Sequence, residues 1–208
     1  MSSRSDLLVP GKFYHIFNRS VGNDNLFKNG DNYRYFLKKY LIYIHPFVNT
    51  YAFCLMPNHF HFAIGIKSED EISFAHSNHP KFNNSDPISN LPAFLSSQFG
   101  SMFISYAKAY NKTFNRVGRL FNENMKRKTV ESKTYMKNLI HYIHYNPVNH
   151  GFVNDPADWT FSSYSEFQQN AMNLIQKQAV LNLFSEEEEY LNWRKIHSVR
   201  DLFLVLEY

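Results

Sequence analysis

The sequence predicts an α+β fold, a ferredoxin-like antiparallel sheet with helices packed on it, followed by a helical C-terminal extension. Three observations predict it. Some segments alternate apolar and polar residues as strands do, and others between them space their apolar residues at the helical period. The third is size: 208 residues, 44% hydrophobic and 19% charged, suit one well-filled core plus a modest extension. Helices interleaved with antiparallel strands then form one sheet covered by helices.

GKFYHIF (11–17) alternates, with Tyr14 and Ile16 on one face and Phe13, His15 and Phe17 on the other, which reads as a first strand. In DNYRYFLKKYLIYI, Tyr33, Phe36, Leu37, Tyr40, Leu41 and Ile44 recur at helical spacing behind Asp31 as N-cap. TYAFCLM and HFHFAIGI are apolar runs divided by Pro57-Asn58, either two antiparallel strands or one bent strand. Residues 67–90 lose periodicity and collect Ser, Asn, Asp and Pro, the mark of a surface insertion. A helix pattern runs from Leu91 to Asn115, RVGRLFNENMKRK (116–128) reads as loop, and a further helix starts near Ser132. Pro147 is expected to end that helix at Asn146, because a residue before proline is pushed out of the helical region. The tail from Asn170 reads as helical and becomes acidic at Glu186 to Glu189.

Composition removes several function classes. Seven glycines and eight prolines exclude collagen-like and low-complexity architectures, and the single cysteine, Cys54, cannot close an internal disulfide. The N-terminal MSSRSDLLVPGKF lacks the apolar core of a signal peptide and no stretch is long enough to span a bilayer, so a cytoplasmic protein is expected. Net charge is only +4, yet Lys108, Lys112, Arg116, Arg119, Lys126, Arg127 and Lys128 face a single anion, Glu123, giving one short segment a balance of +6. Tyr106, Tyr110, Phe114 and Phe121 interleave with it. Cations neutralise phosphates and flat rings stack on bases, which suits single-stranded nucleic acid; a solvated amphipathic helix has the same composition.

Two histidines carry the chemistry. In HFHFAIGI, His59 and His61 share one face with Ala63 and Gly65, while Phe60, Phe62, Ile64 and Ile66 turn to the core. Alternate strand residues sit about 7 Å apart, so both imidazoles can reach one metal ion, and the small neighbours leave room for a ligand or a helix. A His-x-His pair is by itself more often hydrogen-bonded than metal-bound, and a third ligand is needed. On the helix from Ser132, Tyr142 and Asn146 lie one turn apart, beside a core stripe of Met136, Leu139, Ile140 and Ile143. A half-buried tyrosine and a helix-ending asparagine are the plainer reading. His15 is read as a packed core residue that could touch the site, His141 and His144 as facing away from Tyr142, and His76 and His79 as solvated. Tyr106 and Tyr110 rank below Tyr142 as nucleophiles and are given a stacking role; Cys54 reads as a small buried residue.

CLMPNHFHFAIGI resembles the His-hydrophobic-His strand of the HUH single-tyrosine transposases, and YIHYNPVNHGFV followed by DWTFSSY resembles the tyrosine helix and exit of their REP-associated branch. YHIFNRSVGNDNLF and GRLFNENMKRKTV are similar to that branch's opening strand and to its segment before the tyrosine helix. The blocks occur in order over roughly residues 11–167. The resemblance implies a catalytic domain at 1–168, with the insertion at 67–90, and leaves 169–208 as an acidic extension. It implies cleavage of single-stranded hairpin DNA without ATP, with Tyr142 as nucleophile, His59, His61 and Asn146 as ligands of Mg²⁺ or Mn²⁺, and a 5′-phosphotyrosine intermediate. The insertion-sequence relatives carry glutamine in place of Asn146 and are dimers; members of the REP-associated branch can be monomers. No P-loop or dinucleotide fingerprint is present, consistent with a transesterification that conserves bond energy. A retired nucleic-acid-binding protein on the same fold, and a metal hydrolase that uses water, are the alternatives.

Overall fold

The computed structural model describes residues 6–80, 88–122, 125–165, 174–184, 189 and 192–193. The sheet holds β1 (Phe13–Arg19), β2 (Val48–Met56), β3 (His59–Ile66) and β4 (Lys126–Val130) in the order β2-β3-β1-β4, with every neighbouring pair antiparallel. With α1 (Gly30–Tyr43) between β1 and β2, and α2 (Glu69–Asn78) and α3 (Leu91–Thr113) between β3 and β4, this is the ferredoxin-like order the sequence predicts. Next come α4 (Lys133–Asn149) and the short α5 (Lys177–Leu181).

Alternation sorts each strand onto two faces. Tyr14 and Ile16 of β1, Phe53 and Leu55 of β2, and Phe60, Phe62 and Ile64 of β3 pack against Tyr33, Phe36, Leu37 and Tyr40 of α1 and against Leu95, Phe99, Met102 and Tyr106 of α3. Leu41, grouped with that stripe by spacing, is instead exposed. The other face presents Ala52, Cys54, Met56 and Ala63 to Met136, Leu139, Ile140 and Ile143 of α4. The room expected above Ala63 is filled by this helix. Gly65 is small for a local reason: a Cβ there would lie 3.0 Å from the Phe13 ring and 3.2 Å from Tyr51.

The β2–β3 connection is a hairpin with Met56 opposite His59 across Pro57-Asn58, which resolves the choice between two strands and one bent strand. Four other expectations are corrected. The N-cap of α1 is Asn29, whose side chain accepts from the Asn32 N–H; Asp31 lies in the first turn, where a carboxylate suits the helix dipole. The 67–90 segment contains α2, opened by a capping box in which Ser68 and Glu71 satisfy each other's backbone N–H groups. Within RVGRLFNENMKRK, Lys126 starts β4, which bonds along β1 from Phe17↔Lys126 to Phe13↔Val130. Finally, Pro147 does not stop α4. Tyr145, Asn146 and Pro147 are buried, and the N–H groups of His150, Gly151 and Phe152 bond to the carbonyls of Asn146, Val148 and Pro147. The turn closes at Gly151, whose φ of 72° suits glycine.

DWTFSSY fixes α4 to the sheet. Ser163 Oγ accepts from Phe53 N–H at 2.9 Å and meets His144 Nε2 at 2.9 Å, and Trp159 Nε1–H donates to Leu55 O at 3.0 Å. Val180 and Phe184 join the hydrophobic cluster of α4, and Lys137 pairs with Glu189 at 2.7 Å. The stretch 139–147 of α4 is buried all round. The rest of the predicted acidic run, 186–188, lies outside the described residues. Among the described residues no helix is long and apolar enough to cross a membrane.

Candidate active site and metal-binding residues

His59, His61, Tyr142 and Asn146 meet where β3 faces α4. His59 Nε2 lies 2.9 Å from Asn146 Oδ1, and the Tyr142 ring stands edge-on to His61 with centroids 5.2 Å apart. Because α4 continues through Pro147, Asn146 stays helical and projects from the same face as Tyr142. Tyr142 and Asn146 are not border residues of the helix: both are buried, at 1% and 0% exposure. The hydroxyl of Tyr142 is therefore closed to solvent.

Burial controls the protonation of the histidines. It pushes His59 down to about 4 against a favourable contact from Asn146, pushes His15 down to about 3, and holds His61 well below the ordinary histidine range with help from the other imidazoles. All three are neutral near pH 7, so each has one N–H and one lone pair. His59 lies between two acceptors, with Nδ1 2.7 Å from Asn58 Oδ1 and Nε2 2.9 Å from Asn146 Oδ1, and its single N–H can serve only one of them; donation to Asn58 would leave the Nε2 lone pair for an ion beside the Asn146 oxygen. At His61, Nδ1 is engaged by His15 Nε2 at 2.9 Å, while the buried Nε2 has no hydrogen-bond partner among the described residues.

This set fits a divalent ion. Two imidazole lone pairs and an amide oxygen are borderline-to-hard donors. His59 Nε2 and Asn146 Oδ1, 2.9 Å apart, are close enough for one ion to be shared between them. Among the described residues no three His, Cys, Asp or Glu side chains are grouped to hold a metal, so the third protein donor would be the Asn146 amide.

The depressed histidines make the fold sensitive to acid. Their folded-state pKa values lie below the unfolded value of 6.5, so stability is full above pH 6.5 and falls as the unfolded chain takes up protons that the folded chain refuses. Between pH 7 and pH 5 the expected loss is on the order of 1–2 kcal/mol for each such histidine. Urea unfolding at the two pH values in EDTA measures it, and His15→Gln reduces the slope.

The predicted cations do not form one surface. Arg116 is tied into its loop, donating to Asp24 Oδ2 at 2.6 and 2.9 Å and to Arg119 O at 2.7 Å. Lys108 and Lys112 are exposed on α3. The register places Lys126 and Lys128 beside Phe17 and His15 on the α4 face, whereas Arg127 points to the opposite face and donates to Ser96 Oγ at 2.9 Å. There Arg127 and Arg119 line a groove of about 440 Å³ with Asn18, Phe99, Phe103 and Met125.

Tyr106 and Tyr110 belong to neither surface. They are buried on the α1/α3 side, their hydroxyls donate to Leu26 O at 2.5 Å and Asn25 O at 2.6 Å, and burial raises both pKa values. This removes the stacking role expected of them. His76 is buried edge-on to Phe94 rather than solvated, and His79 is half-buried. His141 and His144 face away from the site as expected, but both are buried. Cys54 is fully buried. Sequence reasoning missed His150, whose ring lies 5.0 Å from that of His59 at the end of α4, because the helix was expected to stop before reaching it.

No family model matches the chain. A Haemophilus influenzae protein named as a REP-associated tyrosine transposase is 25% identical over 122 residues, which cover 58% of this chain and 60% of that protein. The match thus spans less than two thirds of the relative's length. A solved structure of a REP-associated tyrosine transposase bound to a REP hairpin superposes with a TM-score of 0.57 at 16% identity, over 84% of this chain and 88% of that one. The chain carries the fold of that REP-associated tyrosine transposase and is similar in sequence, over part of its length, to the Haemophilus influenzae protein.

Proposed function

We propose that this protein nicks and rejoins single-stranded hairpin DNA through a covalent 5′-phosphotyrosine at Tyr142, with Mg²⁺ or Mn²⁺ bound by His59, His61 and Asn146. The observation that carries the proposal is convergence: one helix sets Asn146 on His59 and Tyr142 against His61. The similar structure with a bound REP hairpin supports a hairpin as the DNA form.

Tyr142 Oη would attack the scissile phosphorus, forming the P–O bond to tyrosine and breaking the P–O3′ bond, while the phenol proton passes to the departing 3′ oxygen. Bond order is conserved, and the free 3′-hydroxyl can reverse the step or join a new strand. A phenol is about one-thousandth ionised at pH 7, so the attack needs help with developing charge. An ion held by His59, His61 and Asn146 would supply that help as a Lewis acid. Because Tyr142 is buried, a phosphate would reach its hydroxyl only after the packing around it opens. Lys126 and Lys128, on the same face, would hold the backbone of the scissile strand. Arg119, Arg127 and the groove beside Phe103 would take up DNA on the far face, with Lys108 and Lys112 adding positive charge along α3.

The test is incubation with single-stranded hairpins from the flanks of the protein's own gene plus Mn²⁺, resolved on a denaturing gel. The expected product is a protein–DNA species that survives denaturation and is lost in EDTA. Hairpin binding without any such species, whichever divalent ion is supplied, overturns the proposal and leaves a nucleic-acid-binding protein.

A further inference from the structure

We propose that His15 is a positioning residue that sets the tautomer of His61, so that His61 presents Nε2 to the metal site as a bare lone pair. The inference rests on the metal reading above. The two rings face each other with centroids 5.1 Å apart, planes within 25° and Nε2 of His15 2.9 Å from Nδ1 of His61. Those values describe two imidazoles joined edge to edge, with the hydrogen bond close to both ring planes.

Such a bond between neutral rings holds one proton and has two registers. If His15 donates from Nε2, His61 carries its own proton on Nε2. That puts a buried N–H at an atom with no acceptor among the described residues and denies the lone pair to a metal. If His61 donates from Nδ1, His15 accepts at Nε2 and keeps its proton on Nδ1, and His61 Nε2 is free to ligate. His15 Nδ1 is also buried and has no partner among the described residues, so each register leaves one buried N–H without an acceptor there; the second is the one that bares His61 Nε2 beside His59 and Asn146, as the metal reading requires. The ring of Phe17 stacks on both imidazoles, at 4.6 Å from His15 and 5.8 Å from His61, and restricts their rotation. His59 Nδ1 likewise has a partner on its far side, Asn58 Oδ1 in the turn before β3, at 2.7 Å. In the proposed register both rings would have Nδ1 occupied from behind and Nε2 turned to the site, as outer-shell partners commonly arrange.

The experiment uses the whole chain with ¹⁵N-labelled histidine. Long-range ¹H–¹⁵N spectra of the metal-free protein are expected to show His61 protonated at Nδ1, and Mn²⁺ binding is followed by electron paramagnetic resonance. His15→Phe, which offers no acceptor, is expected to weaken Mn²⁺ binding 10- to 100-fold. His15→Gln, whose amide oxygen can accept from His61 Nδ1–H, is expected to bind within a few-fold of wild type. An Nε2-protonated His61, or unweakened binding in His15→Phe, overturns the role of His15 and leaves the metal site standing. If the phenylalanine variant does not fold, the wild-type spectrum still decides. Wild type that takes up no Mn²⁺, or takes it up equally after His59→Ala, overturns the metal reading and this inference with it.

Discussion

Tyr142→Phe is expected to abolish the proposed covalent protein–DNA species while hairpin binding survives. The substitution removes one oxygen from a buried ring and keeps the edge-on packing against His61 and His15. Loss of a nucleophile is among the largest single effects in catalysis, so adduct yield is expected to fall at least ~10³-fold. Stability is expected to change by only about 1–2 kcal/mol. The hydroxyls of Tyr106 and Tyr110 cannot substitute, being bonded to backbone carbonyls on the opposite side of the sheet. A denaturing gel reads the adduct and a filter-binding titration reads the affinity. An undiminished adduct in the variant moves the nucleophile to another residue.

Neighbouring residues of β3 are expected to respond in opposite ways. Phe62→Ala removes a ring that stacks on Tyr40 at 4.5 Å and on Phe53 at 5.7 Å, in the core shared with α1. The expected cost is about 3–5 kcal/mol, a large part of the ~5–15 kcal/mol that holds a domain folded. Its urea midpoint should fall steeply. His61→Ala lies one residue away on the other face, against α4. It leaves the α1/α3 core intact and is expected to keep a cooperative unfolding transition while losing the adduct and the Mn²⁺-dependent signal. Equal loss of folding in both variants would show that the two faces are not separate in role.

The division between those faces was legible in the sequence because strand alternation is a local property of the backbone. The same holds for the helical stripes of α1 and α4, and for the spacing that puts Tyr142 and Asn146 one turn apart. Features that depend on distant partners were not legible. The cation-rich segment reads as loop because KRKTV has little apolar alternation, yet it becomes β4 by bonding along β1. Once it is a strand, adjacent cations must point to opposite faces, which divides Lys126 and Lys128 from Arg127. Pro147 carries a local signal to stop, overridden by burial of the surrounding turn and by the carbonyl partners found by His150, Gly151 and Phe152. The α2 helix was hidden because its apolar pattern is weak, although the Ser68–Glu71 capping box was there to be read.

The sequence alone determined which side chains are available for chemistry and on which side of their own element each lies, since period and capping depend on a few neighbouring residues. Only the tertiary structure decided which of them meet: His15 beside His61 through strand register, Asn146 against His59 through the continued helix, and Tyr142 sealed beneath α4 rather than at its border. Register and packing are set by residues far apart in the chain, and no local pattern encodes the 2.9 Å contacts they produce.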